Sequence, residues 1–469
     1  MLDDDSLLNV FYLYRPFLLG EDIEDEDHRL LGGGRWDRGR WWYNLAHVCQ
    51  RWRNIVLGST TYLGVSLVCT NGTPVADMLA NSPPLPLLID YANKNDDIAA
   101  EDEEGAILAL KQYDRVRRVR LRVSAANIQK LVDAMEYEYS ILEHLIIMCP
   151  VRDSISIMVF PEALQAPHMH HLVLVSFALP IGSRLLTSAV GLVTLSLIMV
   201  NPSTYFYPST LLQWLSFMPL LETLVISLLY PDPDHDMERQ PITLPITTPN
   251  ILPNLHSFTF LGLGTYLEAL VHRITAPRLE KLQLEFFDQV TFSTPHLAQF
   301  VSTANLRFKT AKFTFNNWRV EVNVYPREEA ETYALSIIVH CRHLDEQVSS
   351  AAQIFNLLGP ILSAVEHLTL EHKLHNVHSQ SFEEHNEVDH TEWRKLLNSF
   401  RNVKSLRIAE GLVEDMTRCL QLDDGELPSE ILPKLQELSY SGSVNTGGAF
   451  TSFINARQNA GRPITVIHS

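Results

Sequence analysis

The sequence has 469 residues, and its 37 Lys and Arg against 55 Asp and Glu give a formal charge of −18. Hydrophobic residues make up 46%, enough apolar surface to offset ordering entropy, so a disordered chain is excluded. The acidic balance argues against a nucleic-acid binder, whose affinity needs phosphate-neutralising cations.

Five cysteines, Cys49, Cys69, Cys149, Cys341 and Cys419, are sparse and form no CxxC pair. That usage suits a reducing compartment rather than a disulfide framework. The start, Met1-Leu2-Asp3-Asp4-Asp5, has no basic segment leading into an apolar one, so no secretory signal is expected. No apolar run is long enough to span a membrane. The expected location is cytoplasmic or nuclear, with no membrane partner.

Residues 1–60 differ from the rest. Nine acids and two bases fall in residues 1–34, followed by five arginines and one acid in 35–53. An acidic stretch at about 18–40, punctuated by Gly32-Gly33-Gly34, reads as a solvated loop. Before it, Leu7, Leu8, Phe11 and Tyr12 recur with a helical period behind three aspartates suited to a helix N-terminus. After it, Leu45, Val48, Cys49, Trp52, Ile55 and Val56 predict one continuous helical stripe, with Gln50, Arg51, Arg53 and Asn54 facing away.

Residues 61–110 are transitional. Val65–Cys69 and Leu85–Asp90 read as strands, and Asn95–Glu104 as an acidic loop. Lys111 to Arg122 carries six bases, and its alternation along a strand points to a charge-balanced surface.

From about residue 111 to 469, short apolar strands alternate with short helices. The strands fit an L-x-x-L-x-L template: Val116/Val119/Leu121, Leu142/Leu145/Ile147, Met169/Leu172/Leu174, Leu192/Leu195/Leu197 and Leu221/Leu224/Ile226. Leu255/Phe258/Phe260, Leu279/Leu282/Leu284, Val365/Leu368/Leu370, Val403/Leu406/Ile408 and Leu435/Leu438/Tyr440 continue it. Phe313/Phe315 and Leu335/Ile337 are weaker copies. The template is short enough to arise by chance, so spacing carries more weight: the starts at 116, 142, 169 and 192 are 26, 27 and 23 residues apart. Ala126–Tyr137, Ser209–Phe217, Thr265–Arg273, Pro295–Thr303, Val348–Leu358 and Thr391–Phe400 read as the intervening helices. Each such unit exposes apolar surface that only a neighbour can cover, so the copies must stack.

Two strings resemble a known family. Leu2-x-x-x-x-Leu7-Leu8-x-Val10-Phe11, then Leu45-Ala46-x-Val48-Cys49-x-x-Trp52-Arg53-x-x-Val56, resemble an F-box interrupted by an insertion. Arg40–Cys49, Ala276–Leu282 and Ala364–Leu370 make the whole chain similar to the large F-box family of mushroom-forming fungi. The resemblance implies an α/β architecture, with an F-box-like helical module at 1–60 and a capping segment at 61–110. An irregular leucine-rich-repeat solenoid of parallel strands and short helices would follow at 111–469. It also implies a non-catalytic subunit of a Skp–cullin–F-box ubiquitin ligase. Leu2, Leu7, Leu8, Val10, Phe11, Leu45, Val48, Cys49, Trp52, Arg53 and Val56 would bind the Skp-type adaptor, and through it a cullin–RING ligase. The repeats would bind an unidentified protein substrate. Where the family usually has Leu-Pro, this chain has Leu2-Asp3, and aspartate offers a helix cap instead. The alternative is a repeat scaffold outside the ubiquitin system.

No catalytic, cofactor or metal residue is assigned. His372, His375, His378, His385 and His390, interleaved with acids, read as a solvated loop rather than a metal site. Gly262-x-Gly264 lacks the third glycine of a dinucleotide fingerprint and reads as a turn between repeats.

Overall fold

The computed structural model describes residues 2–14, 41–92, 98–149, 158–180, 182–201, 205–229, 250–287, 292–373, 390–421, 431–441 and 450–468. The acidic stretch at 18–40 and the histidines His375, His378 and His385 lie outside them. The fold is mixed α/β, with short helices over mostly parallel strands. It divides into two compact units, Met1–Tyr205 and Phe206–Ser469.

The first unit opens with helices α1 (Asp4–Tyr14), α2 (Trp41–Ala46), α3 (Gln50–Gly58) and α4 (Thr60–Leu63). The strands β1 (Leu67–Thr70), β2 (Leu87–Ala92), β3 (Val116–Arg122), β4 (His144–Met148), β5 (His171–Val175) and β6 (Thr194–Val200) follow. They pair in sequence order, all parallel. The crossovers carry α5 (Val75–Asn81), α6 (Ala100–Leu110), α7 (Ala125–Asp133) and α8 (Arg184–Ser188).

In the second unit the strands are β7 (Thr223–Leu228), β8 (Ser257–Gly262), β9 (Lys281–Phe286), β10 (Thr310–Phe315), β11 (Arg319–Tyr325) and β12 (Leu335–His340). Then come β13 (His367–His372), β14 (Ser405–Ile408), β15 (Glu437–Tyr440) and β16 (Thr465–His468). Helices α9 (Pro208–Leu215), α10 (Gly264–Val271), α11 (Pro295–Thr303), α12 (Leu344–Leu362), α13 (His390–Asn398), α14 (Val413–Leu420) and α15 (Thr451–Asn459) alternate with them. Pro208 and Pro295 start their helices, where the missing N–H leaves no bond unmade.

Every residue of the ten full template triplets is buried. The copies also stand in register. Val119, Leu145, Leu172 and Leu195 form one cross-strand row, and Leu121, Ile147, Leu174 and Leu197 the next. Leu224, Phe258 and Leu282 line up likewise, as do Leu368, Leu406 and Leu438. In-register parallel pairing stacks like on like, and the neighbouring helices pack on one another as well.

Among the described residues the parallel order of this unit breaks once. The strand order is β7-β8-β9-β12-β11-β10-β13-β14-β15-β16. After β9 the chain places β10 three strand positions away. It returns through the antiparallel strands β11 and β12, and β12 pairs in parallel with β9. The 19-residue α12 then carries the chain back to β13, which pairs in parallel with β10. The sequence reading placed two weak strands here and missed β11. It also set one copy at Phe313/Phe315, whereas the register aligns Ala311 and Phe313 with Leu368 and Leu370. A two-residue offset keeps the same side chains on the same face, so the pattern alone does not expose it.

Two further expectations change. The predicted acidic loop at 95–104 overlaps α6, whose first turn holds Glu101, Asp102 and Glu103, where the helix dipole favours carboxylates. The predicted continuous stripe from Leu45 to Val56 is two helices, with a break at His47–Cys49. Arg53 Nε donates to the Ala46 carbonyl at 3.0 Å, so a side chain ends α2 where a helix would have continued.

Gly262 closes β8 and Gly264 opens α10. A Cβ on Gly262 would lie 3.0 Å from the Phe260 ring and 3.1 Å from a Leu228 methyl, so a side chain here would have to displace both buried neighbours.

Candidate docking surface of the N-terminal helices

The helical module is built around α1. Asp3 caps it: Asp3 Oδ1 accepts from the Ser6 N–H at 2.7 Å, and the Asp3 carbonyl accepts from Leu7 N at 3.1 Å. Those hydrogen bonds from Ser6 hold the Asp3 carboxyl below its ordinary range. Asp3 is therefore a working cap of α1.

Arg51 pins the other partner. Its Nε and Nη2 reach Asp4 Oδ1 at 2.8 and 2.6 Å, and Nη2 also donates to the Leu2 carbonyl at 2.7 Å. Arg51 was expected to face away from the apolar stripe, and it instead joins α3 to the start of α1. Leu2 thereby lies beside the first turn of α3. Trp42 Nε1 donates to the Ser66 carbonyl at 2.9 Å in a buried contact, tying α2 to the residues before β1. Tyr62 Oη donates to Asn9 Oδ1 at 3.3 Å, and its ring meets Tyr12 at 5.1 Å.

The eleven expected adaptor residues split by exposure. Leu7, Phe11, Leu45 and Val56 are buried inside this chain. Leu8 and Trp52 are half-buried, and Trp52 packs edge-on against Phe11. Leu2 is 57% exposed, Val10 48% and Val48 58%, and Cys49 and Arg53 are also exposed. Val48 and Cys49 owe their exposure to the break between α2 and α3. Cys49 occupies the N-cap of α3 without making a side-chain cap.

One residue the sequence reading overlooked is more exposed than any of these. Leu13 is 77% exposed, and it lies on α1 three residues after Val10, with Tyr14 four after. The i, i+3, i+4 rule applied from Val10 would have found both. Exposed Val10, Leu13 and Tyr14 thus flank the side of α1 on which Leu7 and Phe11 are buried, and the Tyr14 ring lies 6.4 Å from that of Trp41.

Among the described residues, no group of three or more His, Cys, Asp or Glu is placed to hold a metal ion. Among the same residues, no helix is long and apolar enough to cross a membrane. Of the basic run, Arg117 pairs with Glu143 at 2.8 Å and Arg120 with Asp90 at 3.0 Å, and Arg115 donates to the Leu85 carbonyl at 3.2 Å. These contacts agree with a charge-balanced surface. Searches against protein-family models and against curated proteins found no match to this chain.

Proposed function

We propose that the protein is the substrate-receptor subunit of a Skp–cullin–F-box ubiquitin ligase. Its N-terminal helices dock on a Skp-type adaptor, and its strand–helix array holds a protein target. The observation that carries this reading is the exposure of Val10, Leu13 and Tyr14 on α1, and of Leu2 and Val48 elsewhere on the same module. Exposed apolar side chains grouped on one helical module call for a covering partner. Each such side chain buried on docking contributes about 1.5–3 kcal/mol before association costs. The receptor does no bond chemistry. It acts through effective concentration, holding a target lysine near the ubiquitin-loaded enzyme.

The test is capture of recombinant Skp-type adaptor by the full chain, beside a Leu13→Asp, Val48→Asp variant. Both positions are exposed, so the variant keeps its fold while losing the adaptor. Wild type that fails to capture the adaptor sinks the reading, and so does a variant that captures it equally.

A second reading, a repeat scaffold outside the ubiquitin system, has its own support. Leu7, Phe11, Leu45 and Val56 are spent on packing within this chain, as a capping module would spend them. Under that reading neither protein captures the adaptor.

A further inference from the structure

The β10–β11 turn holds an exposed aromatic on a rigid mount. Trp318 is 59% exposed, and among the described residues it is the tryptophan most open to solvent. Its backbone is fixed from several sides. Asn316 Oδ1 accepts from the N–H groups of Trp318 and Arg319 at 2.9 and 3.0 Å. The Trp318 carbonyl accepts from Cys341 N at 3.1 Å. The buried Gln347 side chain donates to the carbonyls of Asn316 and Cys341 at 2.8 and 2.9 Å, joining the turn to α12. A large apolar ring displayed on a mount this well braced has the character of a binding anchor.

The group beside it decides the partner. The Arg342 guanidinium lies over the Trp318 ring, 5.7 Å from its centroid. Arg342 is itself exposed, and among the described residues it makes no ion pair. A guanidinium held beside an aromatic ring and without an ion pair keeps N–H groups for an acceptor. The indole N–H is likewise a donor only. An unpaired guanidinium and an indole N–H beside an exposed aromatic ring match a carboxylate next to an apolar side chain.

We propose that the Trp318–Arg342 pair docks an acidic segment of a partner protein, an Asp or Glu carboxylate on Arg342 and an adjacent apolar side chain on the indole. This goes beyond adaptor docking and does not depend on it, since every residue involved lies in the second unit. The antiparallel excursion of β10, β11 and β12, the one break in the parallel order, exists on this account to present that turn.

The probe is a set of fluorescein-labelled twelve-residue peptides with Asp and Glu flanking Leu or Phe, titrated into the full-length chain. Matched sets carry Asn and Gln in place of the acids, or phosphoserine in place of one acid. The expected result is binding of the acidic set alone, weakened roughly tenfold or more by Trp318→Ala and by Arg342→Ala, and weakened by added salt. Arg342→Lys keeps the charge but loses the stacked fork, so it should recover only part of the affinity. Unchanged thermal unfolding of the variants shows that the fold is kept. Four outcomes overturn the proposal: no acidic peptide binds, the Asn/Gln set binds as well, only the phosphopeptides bind, or the variants bind like wild type.

Discussion

The Phe11 ring of α1 meets the Trp52 indole of α3 edge-on, with centroids 4.8 Å apart and planes at 61°. Phe11 is completely buried, so this contact is the main apolar joint between the first helix and the rest of its unit. Phe11→Ala should remove about 3–5 kcal/mol from that joint. The loss should fall on α1 rather than on the sheet. Amide hydrogen exchange over 4–14 should accelerate steeply while β2 to β6 stay protected. A double-mutant cycle with Trp52→Ala should give a coupling of about 0.5–1.5 kcal/mol. Unchanged exchange in α1 would contradict the assignment.

Asp3 makes the same helix sensitive to acid. Its carboxyl is held below the ordinary value by the hydrogen bonds from Ser6. A carboxyl depressed in the folded state adds stability above its unfolded pKa, and that stability is lost as pH falls through the lower folded value. Fraying of α1 should therefore increase below about pH 4. Asp3→Asn keeps an acceptor but cannot titrate, so fraying should depend less on pH, the remainder coming from Asp4 and Asp5. Exchange at the Ser6 and Leu7 amides reads both effects.

Glu268 is a buried carboxylate in α10 that caps a neighbouring helix. Its Oε2 and Oε1 accept from the backbone N–H groups of His296 and Leu297 in α11 at 3.0 and 2.9 Å. Glu268→Ala leaves both donors unmet, and denaturant unfolding should show a loss of about 1–3 kcal/mol. Glu268→Gln keeps one acceptor and should lose less. Equal losses would show that the charge, not the bond count, carries the effect.

His144 and His171 sit opposite one another on β4 and β5, stacked with centroids 4.4 Å apart. Burial pushes the His144 pKa down to about 3, with Arg118, His171, His170 and Arg117 adding to the effect. The unfolded value is about 6.5. Its stabilising share is therefore complete above pH 6.5 and declines as pH falls towards 3, because the unfolded chain takes up the proton first. Between pH 7.5 and 5, wild type should lose roughly 1–2 kcal/mol more than His144→Phe in urea unfolding. Equal losses would place the titration elsewhere.

The strand register was legible because each triplet has to be buried, and like triplets bury best against like. Val119, Leu145, Leu172 and Leu195 could be aligned before any coordinates. The return strand β11 was missed although its signal was present. Val320, Val322 and Val324 alternate with Arg319, Glu321 and Asn323, the period-two pattern of an antiparallel strand, which an L-x-x-L-x-L template does not match.

The N-terminal module was legible as helices and illegible as a surface. Helical periodicity marks which residues share a side but not whether this chain or another covers them. Phe11 and Leu13 look alike in sequence, yet one is sealed under Trp52 and the other stands in solvent. The break at Val48 was hidden because the apolar residues keep a helical spacing straight through it. What sets it is a single arginine reaching back to one carbonyl.

The excursion through β10, β11 and β12 also governs where the chain can be cut. In a plain stack, removing units from one end leaves a shorter stack with one fresh edge. Here β12 closes the edge of β9, while β10 supports β13, although the paired positions Leu282 and Leu335 are 53 residues apart. A truncation ending between residues 287 and 334 strips β9 of β12, whereas one ending between β12 and β13 keeps β12 and β11 and leaves β10 as an ordinary edge. The stretch from β9 to β12 should melt as one block, and stable fragments should end before β9 or after β12.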